Sequence, residues 1–120
     1  MVVDYSLGII EAKFADIIWE NEPLPSGELV KLSYEKLGWK KTTTYSILKK
    51  LCYKGLFKNE NCVVTSLISR DEFYARQSSE MIDRSFGGSM PKFIAAFASI
   101  RKPGEKDIAA IKELLKEWER

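Results

Sequence analysis

Histidine is absent from this sequence, and cysteine occurs only at Cys52 and Cys62. A structural zinc ion usually takes four Cys or His ligands, so the composition predicts no metal centre and no cofactor. Without histidine the chain also lacks the commonest general base. No arrangement of Asp, Glu, Lys or Tyr indicates catalysis. We therefore expect a protein that is not an enzyme and whose two thiols are reduced and packed.

Long apolar runs are missing as well. No stretch approaches the roughly 18 apolar residues that span a bilayer. The start, Met1-Val2-Val3, is too short for the apolar region of a signal peptide and carries no basic flank. These features predict a cytoplasmic protein without membrane insertion. The 120 residues suffice for one compact domain, or for a small domain with an oligomerisation arm.

Acidic residues are lacking from one part of the chain. The net charge is only +2, yet six lysines and no acid occur between Lys40 and Lys58. The acids are concentrated in residues 11–22 and 105–119. A charge cluster is more often a solvated surface than a binding site. Here the lysines coincide with a predicted helix whose outward face is polar, and this combination favours nucleic-acid binding.

Three helices are predicted in the first half of the chain. The first, over 9–21, is predicted from apolar residues at helical spacing, namely Ile10, Phe14, Ile17 and Ile18. Ser26 is predicted to cap a second helix that ends before Gly38. The third helix covers about 41–54, and Gly55 terminates it.

A β-hairpin is predicted after the third helix. Its strands, 56–58 and 62–66, flank a turn at 59–61, where asparagine tolerates a positive φ. Three helices followed by a hairpin predict a winged helix-turn-helix DNA-binding domain over residues 1–68. The fold class is therefore mainly α with a small hairpin, extended by a helical dimerisation segment.

The third helix has two different faces. Its inward stripe is predicted to contain Thr44, Ile47, Leu48 and Leu51. A recognition helix needs short polar groups for base edges and lysines for phosphates, and the outward face supplies both. With one hairpin lysine, the predicted DNA-binding residues are Lys41, Thr42, Thr43, Tyr45, Ser46, Lys49, Lys50 and Lys58.

The C-terminal segment, residues 69–120, is predicted to form three helices. A capping box, Ser69 to Glu72, opens a helix over 70–86. Gly87-Gly88 breaks the chain before a helix that ends at Ile100, and a last helix ends near Trp118. Their apolar faces could fold back on the N-terminal core. Burial of these faces by a second copy of the chain is the stronger interpretation. The predicted dimerisation residues are Phe86, Phe93, Ile94, Phe97, Ile111, Leu114, Leu115 and Trp118.

The sequence resembles the penicillinase-repressor (BlaI/MecI/CopY) family of winged-helix regulators. The resemblance runs almost the whole chain, from Leu7 to Trp118. Four stretches carry it: Glu11 with Ile17-Ile18-Trp19, the segment from Trp39 to Leu51 with Lys54-Gly55, the segment from Leu67 to Phe73, and Phe86-Gly87-Gly88-Ser89 with the Leu114-Leu115 ending.

The resemblance implies a dimeric repressor of resistance or stress operons that binds double-stranded DNA at a palindromic operator. It also implies release when a sensor protease system triggers proteolysis. The family's DNA contacts fall on residues 42, 43, 45, 46, 49 and 50 here. Lys40 stands where the family usually has a Ser or Thr cap, and Tyr45 where a relative has arginine, which implies a different operator. The cleavable Asn-Phe pair has no counterpart, and the nearest residues are Ala96-Phe97.

Two other functions fit the sequence. A winged-helix scaffold can serve as a protein-interaction module without DNA. Alternatively, Cys52 or Cys62 could make the chain a redox-sensing regulator. The lysine cluster beside a polar helix face favours the sequence-specific repressor, acting as a homodimer, over both.

Overall fold

The computed structural model describes residues 3–120, and these form six helices and three short strands. The chain divides into two compact units, Met1–Ser78 and Ser79–Arg120. Met1 and Val2, with which the first unit and the predicted DNA-binding domain begin, lie outside the described residues. In the described part of the chain, no helix is both long and apolar enough to cross a membrane.

The first unit is a winged helix-turn-helix. In chain order it contains α1 (Ile9–Asn21), β1 (Leu24–Pro25), α2 (Ser26–Leu37), α3 (Lys41–Tyr53), β2 (Phe57–Glu60), β3 (Val63–Ser66) and the start of α4 (Arg70–Phe86). The strands form an antiparallel sheet in the order β1-β3-β2. The hairpin β2–β3 is the wing. The predicted winged helix-turn-helix, mainly α with a small hairpin, is confirmed, and the structure adds β1 to the hairpin as a third strand.

The core of this unit lies between the first three helices, the sheet and α4. Its fully buried large side chains include Phe14, Phe57 and Phe73, which come from α1, β2 and α4. Trp19 packs beside Phe57 and Phe73, with ring centroids 5.2 and 5.6 Å apart, and its indole N–H donates to the Ile68 carbonyl at 3.0 Å. Of the four apolar residues that predict α1, Phe14, Ile17 and Ile18 are buried, whereas Ile10 is half exposed. Ile10 lies one turn before Phe14, where α1 extends beyond the core.

The start of α2 also differs from its prediction. Ser26 is the first residue of the helix rather than its cap, and it is buried. Pro25 takes the N-cap position, because Leu24 and Pro25 form β1 and pair with Val64 and Val63 of β3. A two-residue strand has no periodicity of its own, so only its distant partner defines it.

The wing turns at Asn61 and Cys62, whose φ values are +52° and +60°. Two consecutive positive values are the signature of the tight turn that matches the twist of paired strands. The predicted turn at 59–61 therefore lies too early, and Asn59 and Glu60 belong to β2, where they pair with Val64 and Val63.

The second unit contains the end of α4, then α5 (Met90–Ile100) and α6 (Glu105–Trp118). Gly87 and Gly88 adopt positive φ values, +56° and +79°, which allow the sharp turn after α4. The Ser89 side chain caps α5 by accepting a hydrogen bond from the Lys92 N–H at 3.2 Å. Among the described residues of α5 and α6, none is buried.

Candidate nucleic-acid interface

The helix α3 is held in the first unit by one apolar stripe. Thr44, Leu48 and Leu51 are buried, at the three- and four-residue spacing that places side chains on one helix face. The Thr44 hydroxyl donates to the Lys40 carbonyl at 3.2 Å, which satisfies this buried polar group. Lys40 is the N-cap residue, but its side chain makes no capping hydrogen bond. With one face buried, the helix presents the opposite face to solvent.

That outer face carries most of the predicted DNA-binding residues. Six of the seven on α3 are exposed, namely Lys41, Thr42, Thr43, Ser46, Lys49 and Lys50. The short hydroxyl side chains lie in the first half of the helix, and the lysines lie at both ends. A major groove can accept such a helix, with hydroxyls at base edges and ammonium groups at phosphates.

The lysines of this region are not equivalent. The Lys50 ammonium lies 3.4 Å from a Glu11 carboxylate oxygen of α1. Lys54 also approaches Glu11, at 3.9 Å, and donates to the Ser6 carbonyl at 2.6 Å, with its side chain only 13% exposed. Lys54 therefore binds Glu11 of α1 and the Ser6 carbonyl and does not belong to the outer face of α3. The ion pairs of the described residues include Lys50 and Lys54 but not Lys41 or Lys49.

The wing contributes one more lysine and several polar groups. Lys58 is exposed on β2 and lies 3.6 Å from the Glu60 carboxylate, an ion pair open to solvent. Asn59 and Asn61, which the sequence analysis treated only as turn residues, are exposed near the tip. Asn59 lines a cleft beside α3, a position that the sequence pattern does not reveal.

Tyr45 is the seventh predicted residue of α3, and it does not lie freely on the outer face. Its side chain is half-buried, and its hydroxyl donates to the Ser26 hydroxyl oxygen of α2 at 3.2 Å. The sequence pattern around Ser26 predicts a helix cap and gives no sign of this partner. The Tyr45 side chain thus connects α3 to α2.

The two cysteines are both free thiols in different surroundings. Cys52 is half-buried on α3, and burial raises the pKa of its thiol. A raised pKa lowers the thiolate fraction at neutral pH, which opposes a reactive sensor role for Cys52. Cys62 is exposed at the wing turn, so the prediction of two packed thiols is wrong for this residue.

The second unit exposes an apolar surface. Ile94, Phe97, Ile111, Leu114, Leu115 and Trp118 each keep between 41% and 62% of their surface accessible. Phe86 and Phe93 are half-buried against each other, with ring centroids 5.6 Å apart. A cleft of about 450 Å³ lies among Phe93, Ile94, Phe97, Pro103, Asp107, Ala110 and Ile111. Within one chain these side chains are left largely uncovered.

No group of three or more His, Cys, Asp or Glu side chains that could hold a metal ion occurs within residues 3–120. In comparisons with known proteins, the model of a family described as Penicillinase repressor matches residues 7–117. None of the curated proteins matches the sequence. The match covers α1 through nearly the end of α6, and thus both units.

Proposed function

The chain belongs to the penicillinase repressor family, whose members are DNA-binding transcriptional repressors, and from this premise we propose that it represses transcription as a homodimer on a dyad-symmetric operator. In this proposal α3 is the recognition helix and enters the major groove, while the wing contacts the adjacent backbone. Such a protein acts where the chromosomal DNA is, in the cytoplasm.

The proposed DNA contact is supported above all by the side chains exposed on the outer face of α3. Thr42, Thr43 and Ser46 are exposed at its first turns, next to Lys41 and Lys49, which have no acidic partner among the described residues. Lysine–phosphate contacts supply affinity for any sequence, and hydroxyl contacts to base edges supply the preference for one.

The homodimer is supported by the uncovered apolar face of the second unit. A monomeric protein rarely exposes so many large apolar side chains together, and a partner copy would bury them. Twofold symmetry would also present two recognition helices to two half-sites. Each copy would then strengthen the binding of the other.

Release from DNA is the part of the proposal that rests on the family alone. We propose induced proteolysis by a sensor protease, or another inducing signal. Ala96 and Phe97, the residues nearest to the family's cleavable pair, are exposed on α5. Cleavage there would separate α6 from the rest of the chain and remove part of the apolar face.

Binding to genomic DNA fragments, followed by gel shift, tests the proposed function. We expect a subset of fragments to be retained at physiological salt, and the retained fragments to share an inverted repeat with half-sites about one helical turn apart. Retention of all fragments alike at every salt concentration would contradict sequence-specific repression. A chain that binds no fragment would favour the protein-interaction module.

Lys49→Ala should weaken binding to all duplexes alike and reduce the salt slope by about one unit. Lys50→Ala should have a smaller effect, because Lys50 already interacts with Glu11 in the free protein. That ion pair is worth at most about 1 kcal/mol, and losing it on binding would offset part of the free energy that a phosphate contact contributes. Binding titrations over a range of salt concentrations measure both slopes.

Lys13→Ala is the matched control for these two variants. Lys13 is an exposed lysine of α1, outside the proposed interface. Its removal changes the net charge equally, so any effect common to all three variants is a general charge effect. If Lys13→Ala and Lys49→Ala change the slope equally, α3 is not the phosphate-contacting helix.

Thr43→Ala and Ser46→Ala should change sequence preference rather than overall affinity. A good hydrogen bond to a base edge discriminates between bases by about 1 to 3 kcal/mol. Selection of bound duplexes from a random pool should therefore show relaxed preference at one base pair per half-site for each variant. An equal loss on every duplex would reassign these residues to backbone contacts.

A further inference from the structure

A cleft of about 390 Å³ lies between the wing and the recognition helix, lined by Tyr45, Leu48, Lys49 and Cys52 of α3 and by Asn59 of β2. Although β2 contacts α3, the two elements are therefore not closely packed beside Asn59. A hairpin beside such a cleft could approach or leave the helix unless another element holds it.

The base of the wing is connected to the C-terminal end of α3. The Leu56 N–H donates to the Leu51 carbonyl at 3.2 Å, and the Leu67 N–H donates to the Leu56 carbonyl at 2.8 Å. These bonds fix where the hairpin leaves α3. They lie at the opposite end of the hairpin from the turn at Asn61 and Cys62, and so act on the tip only through the pairing of β2 with β3.

The tip is held through Ser26 of α2. The Ser26 N–H donates to the Cys62 carbonyl at 2.8 Å, and the two residues before it, Leu24 and Pro25, pair with β3. The Ser26 hydroxyl oxygen accepts the hydrogen bond from Tyr45 at 3.2 Å. One residue, only 5% exposed, thus contacts the wing turn with its backbone and the recognition helix with its side chain.

We propose that Tyr45 and Ser26 are positioning residues, which set the distance between the wing tip and the recognition helix and thereby determine whether both can contact DNA at once. This inference rests on the proposed function of α3 and the wing in DNA binding. It assigns the Tyr45 hydroxyl to Ser26 rather than to a base edge. Ser26 is buried, so it acts on DNA only through the elements that it connects.

Amide hydrogen exchange of the full chain without DNA tests the connection itself. In Tyr45→Phe and Ser26→Ala, the amide of residue 26 and those of the wing turn should exchange about fivefold faster, as for the loss of one hydrogen bond of ordinary strength. Tyr34→Phe, which removes the hydroxyl of an exposed tyrosine on α2, should leave them unchanged. Unchanged exchange in Tyr45→Phe would overturn the inference.

DNA binding tests the consequence, with a duplex that the wild-type protein enriches from a random pool. Tyr45→Phe and Ser26→Ala should each weaken binding about fivefold, and the double variant should lose about fivefold rather than the product of the two losses. In a Lys58→Ala background, Tyr45→Phe should have less than about twofold effect, because the wing's lysine, and with it the proposed charged contact of the wing to the DNA backbone, has already been removed. If Tyr45→Phe weakened binding only by destabilising the fold, its effect on affinity would be the same with and without Lys58.

The alternative outcomes are distinct. If Tyr45→Phe weakens binding while Ser26→Ala does not, the Tyr45 hydroxyl contacts DNA directly and the positioning role is refuted. Full additivity of the two substitutions would refute it as well. If the wild-type chain enriches no duplex, the proposed function fails, whereas the exchange experiment still decides whether Tyr45 and Ser26 hold the wing.

Discussion

Replacing Ile111 with aspartate should convert the proposed homodimer into a monomer at micromolar concentration and weaken operator binding by about 100-fold or more. Ile111 lies in the middle of the apolar stripe of α6 and lines the cleft between α5 and α6. Burying one such side chain contributes about 1.5 to 3 kcal/mol, and a buried unpaired carboxylate costs several more. Sedimentation or light scattering measures the mass, and titration of a two-half-site duplex measures the affinity.

Ala109→Asp is the matched control for this substitution. It introduces the same side chain into the same helix, and at about 100° per residue position 109 lies roughly opposite the apolar stripe. The control should remain a dimer and bind the operator like the wild type. If Ile111→Asp also remains a dimer, the interface lies elsewhere and the apolar face of the second unit has another role.

Phe73→Ala should lower the free energy of unfolding by about 3 to 5 kcal/mol, the range for removing a fully buried phenyl group. Phe73 has no accessible surface, and its ring lies 5.5 Å from that of Tyr5, 5.6 Å from that of Trp19 and 5.2 Å from that of Tyr74. Removing it leaves a cavity surrounded by rings that cannot all move inward. Urea denaturation at one protein concentration measures the loss, because the stability of a dimer depends on concentration.

Tyr34→Ala provides the comparison. Its side chain is 68% exposed on α2, and surface substitutions usually change stability by no more than about 0.5 kcal/mol. A loss below about 1 kcal/mol in Phe73→Ala would mean that α4 contributes little to the core of the first unit. The expected large loss would mean that a winged-helix fragment must extend beyond Ile68.

The predicted boundary between the two parts of the chain depends on this residue. From the sequence it lies after Ile68, where the hairpin ends and a capping box begins. The first compact unit of the structure continues to Ser78. The first turns of α4 belong to that unit because Phe73 packs there and the Gln77 side chain donates to the Tyr5 carbonyl at 2.8 Å. We therefore propose that the functional DNA-binding part ends near Ser78.

Local patterns were sufficient for the helices. The bounds of α4 agree with the prediction, because Ser69 caps its first turn and Gly87 and Gly88 end it. The start of α3 and the buried stripe of Thr44, Leu48 and Leu51 agree as well, since a helix of period 3.6 reveals its inner face in the spacing of its own residues. The sequence thus predicted the outer face of α3 and most of the proposed DNA contacts.

What only the tertiary structure decided are the contacts between segments far apart in the chain. β1 exists because β3 pairs with it some forty residues later, Lys50 differs from Lys49 because Glu11 of α1 lies beside it, and the Tyr45 hydroxyl turns to Ser26 because α2 lies within reach. Each depends on the distance between two elements, and periodicity along one element carries no information about that distance. The sequence by itself determined the helices, the buried face of α3 and the family, and the packing of the helices determined which side chains of the outer face of α3 remain exposed and without a partner in another element.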